Sequence, residues 1–302
     1  CSCEASVGGG IPILMPLHQS LAANQIESIV GILNGTTNYI LSQMTETGVN
    51  YANALADAQK QGFAEADPTN DVCGFDAARK LAILSSIGFR ANVTFDDVLV
   101  EGIEKIDKSD IQYAKDMGYT IKLLTVALRQ ENGIALNVYP AFLPDNHPLS
   151  SVKGAYNAIY VTGNIVDDVM FYGRGAGALP TASAVMGDVI STAQHILNGS
   201  TGTGMIMTDT KRIPFYSSLK LQNSYYFRLD VDDVTGVLSQ IAAAFAENDI
   251  SICEVVQKRK TKGLAELVLI TELASRESIL QVEKALQVLP CMRKVANVIR
   301  VM

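Results

Sequence analysis

Residues that build metal centres and disulfide frameworks are scarce in this sequence. Its 302 residues include three histidines, five cysteines and no tryptophan. The histidines, at positions 18, 147 and 195, are too widely spaced to favour a His-centred metal site or catalytic triad. The cysteines are odd in number and scattered, without a CxxC pair. A reducing compartment is therefore the simplest setting, and we expect a cytoplasmic protein.

Positive charge and long apolar runs are also lacking. Lys and Arg number 24 against 31 Asp and Glu, and the net charge of −7 argues against a nucleic-acid or anionic-membrane surface. No apolar run approaches the roughly 18 residues that a helix needs to cross a bilayer. No signal peptide follows Cys1. The first residues read like the interior of a protein, so we expect a further segment upstream.

What the sequence has is enough chain for two domains, at about 150 residues per domain. A Gly- and Ser-rich stretch at 198–224 indicates the boundary. Residues 222–302 balance ten basic against ten acidic side chains, so the preceding part carries the whole net charge. We therefore predict one domain at 1–200, a linker at 201–221 and a second domain at 222–302.

The first domain mixes strand and helix patterns, which predicts an α+β fold with a mixed sheet. A β-branched run at 26–33 is typical of a buried strand, and it leads through Asn34-Gly35-Thr36 into a helix. Further strands are predicted at 119–142 (two, joined at Glu131-Asn132-Gly133), 157–162 and 168–172, and helices at 51–61, 71–87 and 180–197.

The second domain has a regular alternation of elements. Strands are predicted at 225–231, 250–257, 264–271 and 294–301, and helices at 236–248 and 275–288. The order βαββαβ in about 80 residues predicts a ferredoxin-like sandwich.

The stretch from Glu65 to Lys80 holds four acidic and two basic side chains. Asp76 and Lys80 are at i,i+4 and share a helix face. One interpretation is a surface ion pair that contributes about 0.3–0.5 kcal/mol. The other is a binding site, because a carboxylate pair can hold an ammonium group while Lys80 donates a proton to a developing alkoxide. Such a site would suit a small zwitterionic substrate that bears a carbonyl.

Four ordered motifs resemble those of homoserine dehydrogenases, over about residues 4–200. They are Glu4-Ala-x-Val7-Gly-x-Gly-x-Pro12-Ile, Gly31-Ile-x-Asn-Gly35-Thr36-x-Asn-Tyr39-Ile, Glu65-x-Asp67-Pro with Asp71-x-x-Gly74-x-Asp76-x-x-Arg79-Lys80, and Gly173-x-Gly175-Ala-Gly177-x-x-Pro180-Thr181. The resemblance implies the NAD(P)-dependent interconversion of L-homoserine and L-aspartate 4-semialdehyde. It thereby implies a role in threonine, methionine and isoleucine biosynthesis.

The resemblance also implies roles for single residues. Lys80 resembles the proton donor to the aldehyde oxygen, and Asp76 and Glu65 resemble the groups that bind the substrate's amino end and orient the lysine. Gly35 and Thr36 match residues that border the substrate. The family often has Tyr at the position of Phe63, so a hydroxyl contact from that position is absent here.

Two glycine-rich loops acquire roles through the same resemblance. Glu4, Val7, Gly9 and Ile11 match positions whose main-chain oxygens hold a monovalent cation, usually Na⁺, although the residues alone suggest only a strand-ending loop. Gly175 and Gly177 match residues near the nicotinamide of the cofactor, in a loop and helix (about 173–197) that return to close the nucleotide-binding domain.

The same loop imitates a dinucleotide fingerprint. Residues 173–178 satisfy GxGxxA and open a helix, but no acidic strand end follows about 20 residues later. The resemblance assigns the true fingerprint to an upstream Rossmann half. The choice between NADH and NADPH therefore cannot be read here, and we expect these 302 residues alone not to turn over substrate.

Residues 222–302 resemble an ACT domain, a module that senses amino acids. Gly236, Val237, Asn248 and Ile250 lie in the matching segments and are the candidate effector-binding residues, with threonine as the expected effector. A dimerisation module without a ligand is the alternative. An exposed sheet and an ACT edge both seek partners, so we expect a homodimer or homotetramer.

Two other functions remain open from the sequence. One is a non-catalytic amino-acid-binding regulatory protein with a retired substrate pocket. The other is a self-contained NAD enzyme that uses residues 173–178, which predicts that this chain binds the cofactor by itself.

Overall fold

The computed structural model describes residues 2–200, 213–259 and 263–302. Most of the predicted linker lies outside the described residues, so the domain limits at 200 and 222 stay a prediction. The helices are α1 (Gly35–Thr47), α2 (Tyr51–Lys60), α3 (Thr69–Val72), α4 (Phe75–Gly88), α5 (Lys108–Asp116), α6 (Ala178–Leu197), α7 (Val237–Ala246) and α8 (Arg276–Gln287). The strands are β1 (Ile26–Ile32), β2 (Leu99–Val100), β3 (Tyr119–Gln130), β4 (Gly133–Pro144), β5 (Tyr156–Gly163), β6 (Asp167–Arg174), β7 (Gln222–Asp232), β8 (Ile252–Arg259), β9 (Leu264–Thr271), β10 (Ala274–Ser275) and β11 (Met292–Val301).

One mixed sheet runs through the described part of the chain. Its strand order is β6-β5-β1-β3-β4-β11-β7-β9-β8, with β2 beside β4 and β10 beside β7. Strands β4 and β11 are parallel, as are β2 and β4, while the other neighbouring pairs are antiparallel. The mixed-sheet α+β fold that the sequence predicts is therefore confirmed.

The central strands β1, β3 and β4 of the N-terminal part are buried on both faces, which explains their apolar sequences. The β3–β4 hairpin turns at Glu131-Asn132, because Gln130 pairs with Gly133. On β3, Leu123 packs into the core that also contains α1 and α4, and the next residue, Leu124, packs into a separate cluster on the opposite face. Successive side chains of a strand point to opposite faces, so two apolar neighbours indicate two covered faces.

The C-terminal unit is the predicted ferredoxin-like sandwich. Its strands stand in the order β11-β7-β9-β8, and α7 and α8 supply the two helices of the βαββαβ pattern. Phe227, Ile241, Phe245 and Val282 belong to a core cluster of its own. Parallel pairing of Arg300 with Ala141 joins this unit to the N-terminal sheet through β11 and β4.

A buried ionic cluster also joins the two units. Arg228 on β7 contacts both carboxylate oxygens of Asp110 on α5, at 2.7 and 3.2 Å. Asp110 is fully buried and accepts further bonds from Tyr226 and Asn297. The hydrogen bonds and the opposite charges compensate the cost of burying this carboxylate and guanidinium.

One helix prediction needs correction, and one helix was not predicted. The single helix predicted at 71–87 is two helices, α3 and α4. Gly74, the N-cap of α4, takes a left-handed φ of +82° and interrupts the helix. The apolar spacing continues across this break, so periodicity alone could not reveal it. Helix α5 was not predicted from the sequence at all, although its Ile111 and Tyr113 are buried.

Helix α6 lies on the surface with much of its apolar surface uncovered. None of its side chains is buried, and Val189 and Ile190 are about half exposed. Its Asp188 accepts a hydrogen bond from the Glu4 amide at 3.0 Å, which attaches the N-terminal loop to the helix. No helix among the described residues combines the length and apolar character needed to span a membrane.

Candidate active site

A cavity of about 720 Å³ opens where the ends of β1 and β6 meet the starts of α1 and α4. Its walls come from parts of the chain that are far apart in sequence. The lining residues are Asn34, Gly35, Thr36, Gly62, Phe63, Ala64, Glu65, Asp67, Asn70, Asp71, Asp76, Arg79, Lys80, Ala155, Arg174, Gly175, Ala176 and Gly177.

Lys80 is held in this cavity by two acceptors. Its ammonium group donates to Asp76 Oδ2 at 2.7 Å and to the Leu33 carbonyl at 3.1 Å. The first contact follows from the i,i+4 spacing on α4, and the second comes from the chain just before α1. A lysine ammonium has three N–H donors. Two bonds to protein therefore leave one donor for a molecule in the cavity.

Asn34 connects two carboxylates of this cavity. Its side-chain nitrogen donates to Asp71 Oδ1 at 2.6 Å and to Asp76 Oδ2 at 2.9 Å. Its side-chain oxygen accepts from the Thr37 amide at 2.8 Å and so caps α1. The cap thus fixes the amide that holds both acidic side chains.

The loop between α2 and α3 forms an acidic rim. Glu65 and Asp67 are exposed and line the cavity. Hydrogen bonds from the Thr69 hydroxyl and amide hold the pKa of Asp67 below its usual value. The loop is anchored because Thr36 donates to the Phe63 carbonyl at 2.6 Å. Together these side chains present negative charge to the cavity.

The turn after β6 supplies bare backbone. The Gly10 amide donates to the Arg174 carbonyl at 3.1 Å, which places the N-terminal loop against this turn. A side chain on Gly9 would clash with the Gly175 carbonyl, and one on Gly175 would clash with the buried Asn157. Gly177 has φ +121°, a conformation that L side chains rarely adopt. Only glycine fits these contacts.

Seven of the residues predicted from the sequence share this cavity. They are Lys80, Asp76, Glu65, Gly35, Thr36, Gly175 and Gly177. Sequence reasoning gave no role to further polar lining residues, among them Asn34, Asp71, Arg79 and Arg174. Each stands inside or beside a quoted motif, but only the folded chain shows that it faces the same space.

The predicted cation loop is buried, and its chemistry is restricted. The carboxylate of Glu4 accepts the amides of Ile13, Leu14 and Met15 at 2.5, 2.7 and 2.9 Å. Val7, Gly9 and Ile11 are also buried, and Gly8 and Gly9 take φ values of +74° and +55°. Within residues 2–200, 213–259 and 263–302, no three His, Cys, Asp or Glu side chains cluster as metal ligands. The Glu4 carboxylate is thus already occupied by three main-chain amides.

The predicted effector residues divide between two places. Gly236 and Val237 line a cavity of about 200 Å³ at the start of α7, where Gly236 has φ +88°. Asn248 and Ile250 follow the other end of α7, where Asn248 donates to the Ala244 carbonyl at 2.8 Å and Ile250 is buried. One copy of the chain does not bring the four residues together.

Comparison with known proteins identifies two matching families. The family model described as "Homoserine dehydrogenase" matches residues 12–190, and the model described as "ACT domain" matches residues 225–291. A homoserine dehydrogenase of Corynebacterium glutamicum is 42% identical over 98% of this chain and 67% of its own length. The chain thus spans about two thirds of that relative.

Solved structures agree with these matches. The crystal structure of a homoserine dehydrogenase from Thiobacillus denitrificans aligns with a TM-score of 0.93 and 37% identity, over 99% of this chain and 69% of that one. A mutant of a hyperthermophilic archaeal homoserine dehydrogenase, solved in complex with NADPH, aligns with a TM-score of 0.55 and 28% identity, over 63% of this chain and 55% of that one.

Proposed function

Because this chain belongs to the homoserine dehydrogenase family and carries an ACT domain, as the motifs predicted, we propose that its 720 Å³ cavity binds L-homoserine and L-aspartate 4-semialdehyde and interconverts them. The observation that carries this proposal is Lys80. It lies in the cavity with one ammonium donor not used by Asp76 or Leu33.

Lys80 acts as the proton donor. The reduced nicotinamide cofactor, when bound, supplies a hydride to the aldehyde carbon, and the carbonyl oxygen gains negative charge as the hydride arrives. The remaining Lys80 N–H transfers its proton to that oxygen, and the product is the alcohol of homoserine. In the opposite direction the neutral lysine accepts the hydroxyl proton. Asp76 stabilises the ammonium form and directs Nζ, since it holds one N–H at 2.7 Å.

The acidic side chains bind the substrate's amino end. Asp76, Asp71 and Glu65 line the same cavity, and their negative charges attract an ammonium group. Asn34 keeps two of these carboxylates in place without adding charge. Gly35 and Thr36 border the bound substrate, as in the sequence-based prediction.

The nicotinamide cofactor fits the glycine-rich turn after β6. Gly175 and Gly177 expose main chain to the cavity that contains Lys80, and bare backbone lets a flat ring approach closely. The uncovered apolar surface of α6 suits packing against a nucleotide-binding domain. The NADPH complex of the archaeal relative supports a nicotinamide dinucleotide as the ligand class.

A sodium ion fits the N-terminal loop as a structural cofactor. The main-chain oxygens of Glu4, Val7, Gly9 and Ile11 would hold it, since the Glu4 carboxylate already accepts three amides. The bound ion would stabilise the loop that contacts Gly175 and would take no part in proton transfer.

The ACT domain senses threonine, the end product expected for this enzyme. In a pair of copies side by side, Gly236 and Val237 of one copy would face Asn248 and Ile250 of its partner, which reunites the divided set. We accordingly propose a homodimer or homotetramer. Calorimetry on the complete protein with threonine as titrant tests the sensing role. The absence of heat at millimolar threonine would leave the module a role in dimerisation alone.

The catalytic proposal is tested with Lys80→Met in the complete protein. We expect kcat for homoserine oxidation to fall by about 10²-fold or more, because the proton donor and acceptor is lost. Homoserine binding should persist. The matched control is Lys115→Met, which removes an exposed lysine from α5. Full activity of Lys80→Met would contradict the assignment, and a parent protein that binds homoserine without turning it over would favour the non-catalytic alternative.

A further inference from the structure

A carboxylate outside the cavity is held by the C-terminal unit. Glu101, directly after β2, accepts a bidentate pair of hydrogen bonds from Arg300 on β11 at 2.9 and 3.1 Å. Arg276, at the start of α8, stands 3.7 Å from the same carboxylate. Both arginines belong to the ferredoxin-like unit, whereas Glu101 belongs to the N-terminal part. The contact therefore joins the two units through one acidic side chain.

The surroundings of the Arg300–Glu101 pair restrict its geometry. Arg300 is 4% exposed, and its guanidinium lies over the ring of Tyr139 at 4.1 Å. Burial opposes ionisation of Glu101, but the charges and hydrogen bonds of Arg300 and Arg276 outweigh it and hold its pKa below the usual value. A bidentate arginine–carboxylate pair in such surroundings fixes orientation as well as charge.

The chain on either side of Glu101 supports the acidic corner of the active site. Upstream, the Val100 side chain lies against Gly74, where a Cβ would meet its Cγ1 at 3.1 Å. Downstream, the Ile103 amide donates to the Val72 carbonyl at 2.9 Å, and Gly102 packs so closely on Val72 that a Cβ would clash with that carbonyl. Segment 99–103 thus packs against and supports the α3–α4 corner, which is residues 69–76.

That corner carries two carboxylates of the cavity. Asp71 immediately precedes Val72, and Asp76 follows Gly74 by two residues. Asn34 joins the two carboxylates at 2.6 and 2.9 Å, so a displacement of one is transmitted to the other. Asp76 in turn holds Lys80 at 2.7 Å. Contacts therefore run without interruption from Arg300 to the substrate-binding groups.

We propose that Glu101 is a positioning residue for substrate binding: clamped by Arg300 and Arg276 of the C-terminal unit, it fixes segment 99–103 and thereby the placement of Asp71 and Asp76. The inference rests on the proposed function, because it takes these carboxylates as the groups that hold the substrate's amino end. It gives the C-terminal unit a direct mechanical influence on homoserine affinity.

The test compares Glu101→Gln, Arg300→Gln and the double variant in the complete protein. Energetic coupling between packed networks changes equilibria by about three- to tenfold, so we expect KM for homoserine to rise by that factor, with a smaller change in kcat. The double variant should raise KM no further than either single variant does, because both substitutions break the same contact. The matched control is Arg293→Gln, which breaks a bidentate pair with Asp232, on the same strand but inside the C-terminal unit.

A second measurement does not depend on activity. Hydrogen exchange of the amides at 69–76 should become faster in Glu101→Gln and Arg300→Gln, and stay unchanged in Arg293→Gln. If Arg300→Gln does not fold, Arg300→Lys keeps the charge, removes the paired donors and permits the same comparison.

The outcomes separate the two proposals. Unchanged KM and unchanged exchange at 69–76 in folded variants would refute the role of Glu101, even in an active protein. A parent protein that does not turn over homoserine would refute the proposed function instead, and the exchange data would still decide whether the pair positions the corner.

Discussion

Lys122 makes the free energy of unfolding of this protein change with pH in the alkaline range. The side chain is 2% exposed, and Nζ donates to two neutral acceptors, the Asn38 side chain at 3.0 Å and the Val152 carbonyl at 2.5 Å. Burial, with repulsion from Lys153, lowers the pKa of Lys122 from 10.5 to about 8. Lys122 is also linked to the candidate active site. Its acceptor Asn38 donates to the carbonyl of Gly154, which is next to the cavity-lining Ala155. The perturbation we choose is Lys122→Met, which keeps an unbranched side chain, one atom shorter, and removes its charge.

The sign of the effect follows from proton binding. Below about pH 8 both the folded and the unfolded chain hold the Lys122 proton. Above it the folded chain releases the proton first, so the unfolded chain binds more protons and the free energy of unfolding rises with pH, up to about 10.5. At about 1.4 kcal/mol per pKa unit the whole gain is about 3 kcal/mol. Between about pH 7.5 and about pH 9.5 the gain is about 2 kcal/mol.

Urea unfolding followed by far-ultraviolet circular dichroism measures this gain. The free energy of unfolding of the parent minus that of Lys122→Met should increase by about 2 kcal/mol across that window. Taking the difference cancels other groups that titrate in the same range. Lys115→Met, at an exposed position of α5, should show no such trend. A parent-minus-variant difference that stays constant within about 0.5 kcal/mol would refute the reasoning.

Two further stability predictions follow from contacts already described. Asp110→Ala leaves the buried Arg228 without its closest carboxylate and should lower the free energy of unfolding by about 3 kcal/mol or more. Asp232→Ala, whose arginine partner is 60% exposed, should cost about 1 kcal/mol or less in the same urea titration. Gly9→Ala meets both a left-handed φ and a clash, so it should lower Tm further than Gly48→Ala, which has a similar φ and open space around it. Equal losses for the two glycine variants would show that the close approach of the loops does not matter.

The sequence by itself determined what depends on neighbours along the chain. Asp76 and Lys80 are four residues apart on one helix, so their contact required no knowledge of the fold. The βαββαβ order followed from alternating periods, and the β3–β4 hairpin from a turn beside Gly133. Four motifs in order were also sufficient to predict the family. These features are encoded within short windows, and the structure retains them.

Only the tertiary structure decided which windows meet. Asn34 reaches Asp71 across 37 positions, and Arg300 reaches Glu101 across 199. No periodicity encodes such pairs, because they depend on how the strands are ordered in the sheet. The parallel pairing of β4 with β11 is one such choice, and it brings the C-terminal unit against segment 99–103, next to the candidate active site. The break at Gly74 belongs here too, because close packing against Val100 and Val138 accompanies its left-handed turn.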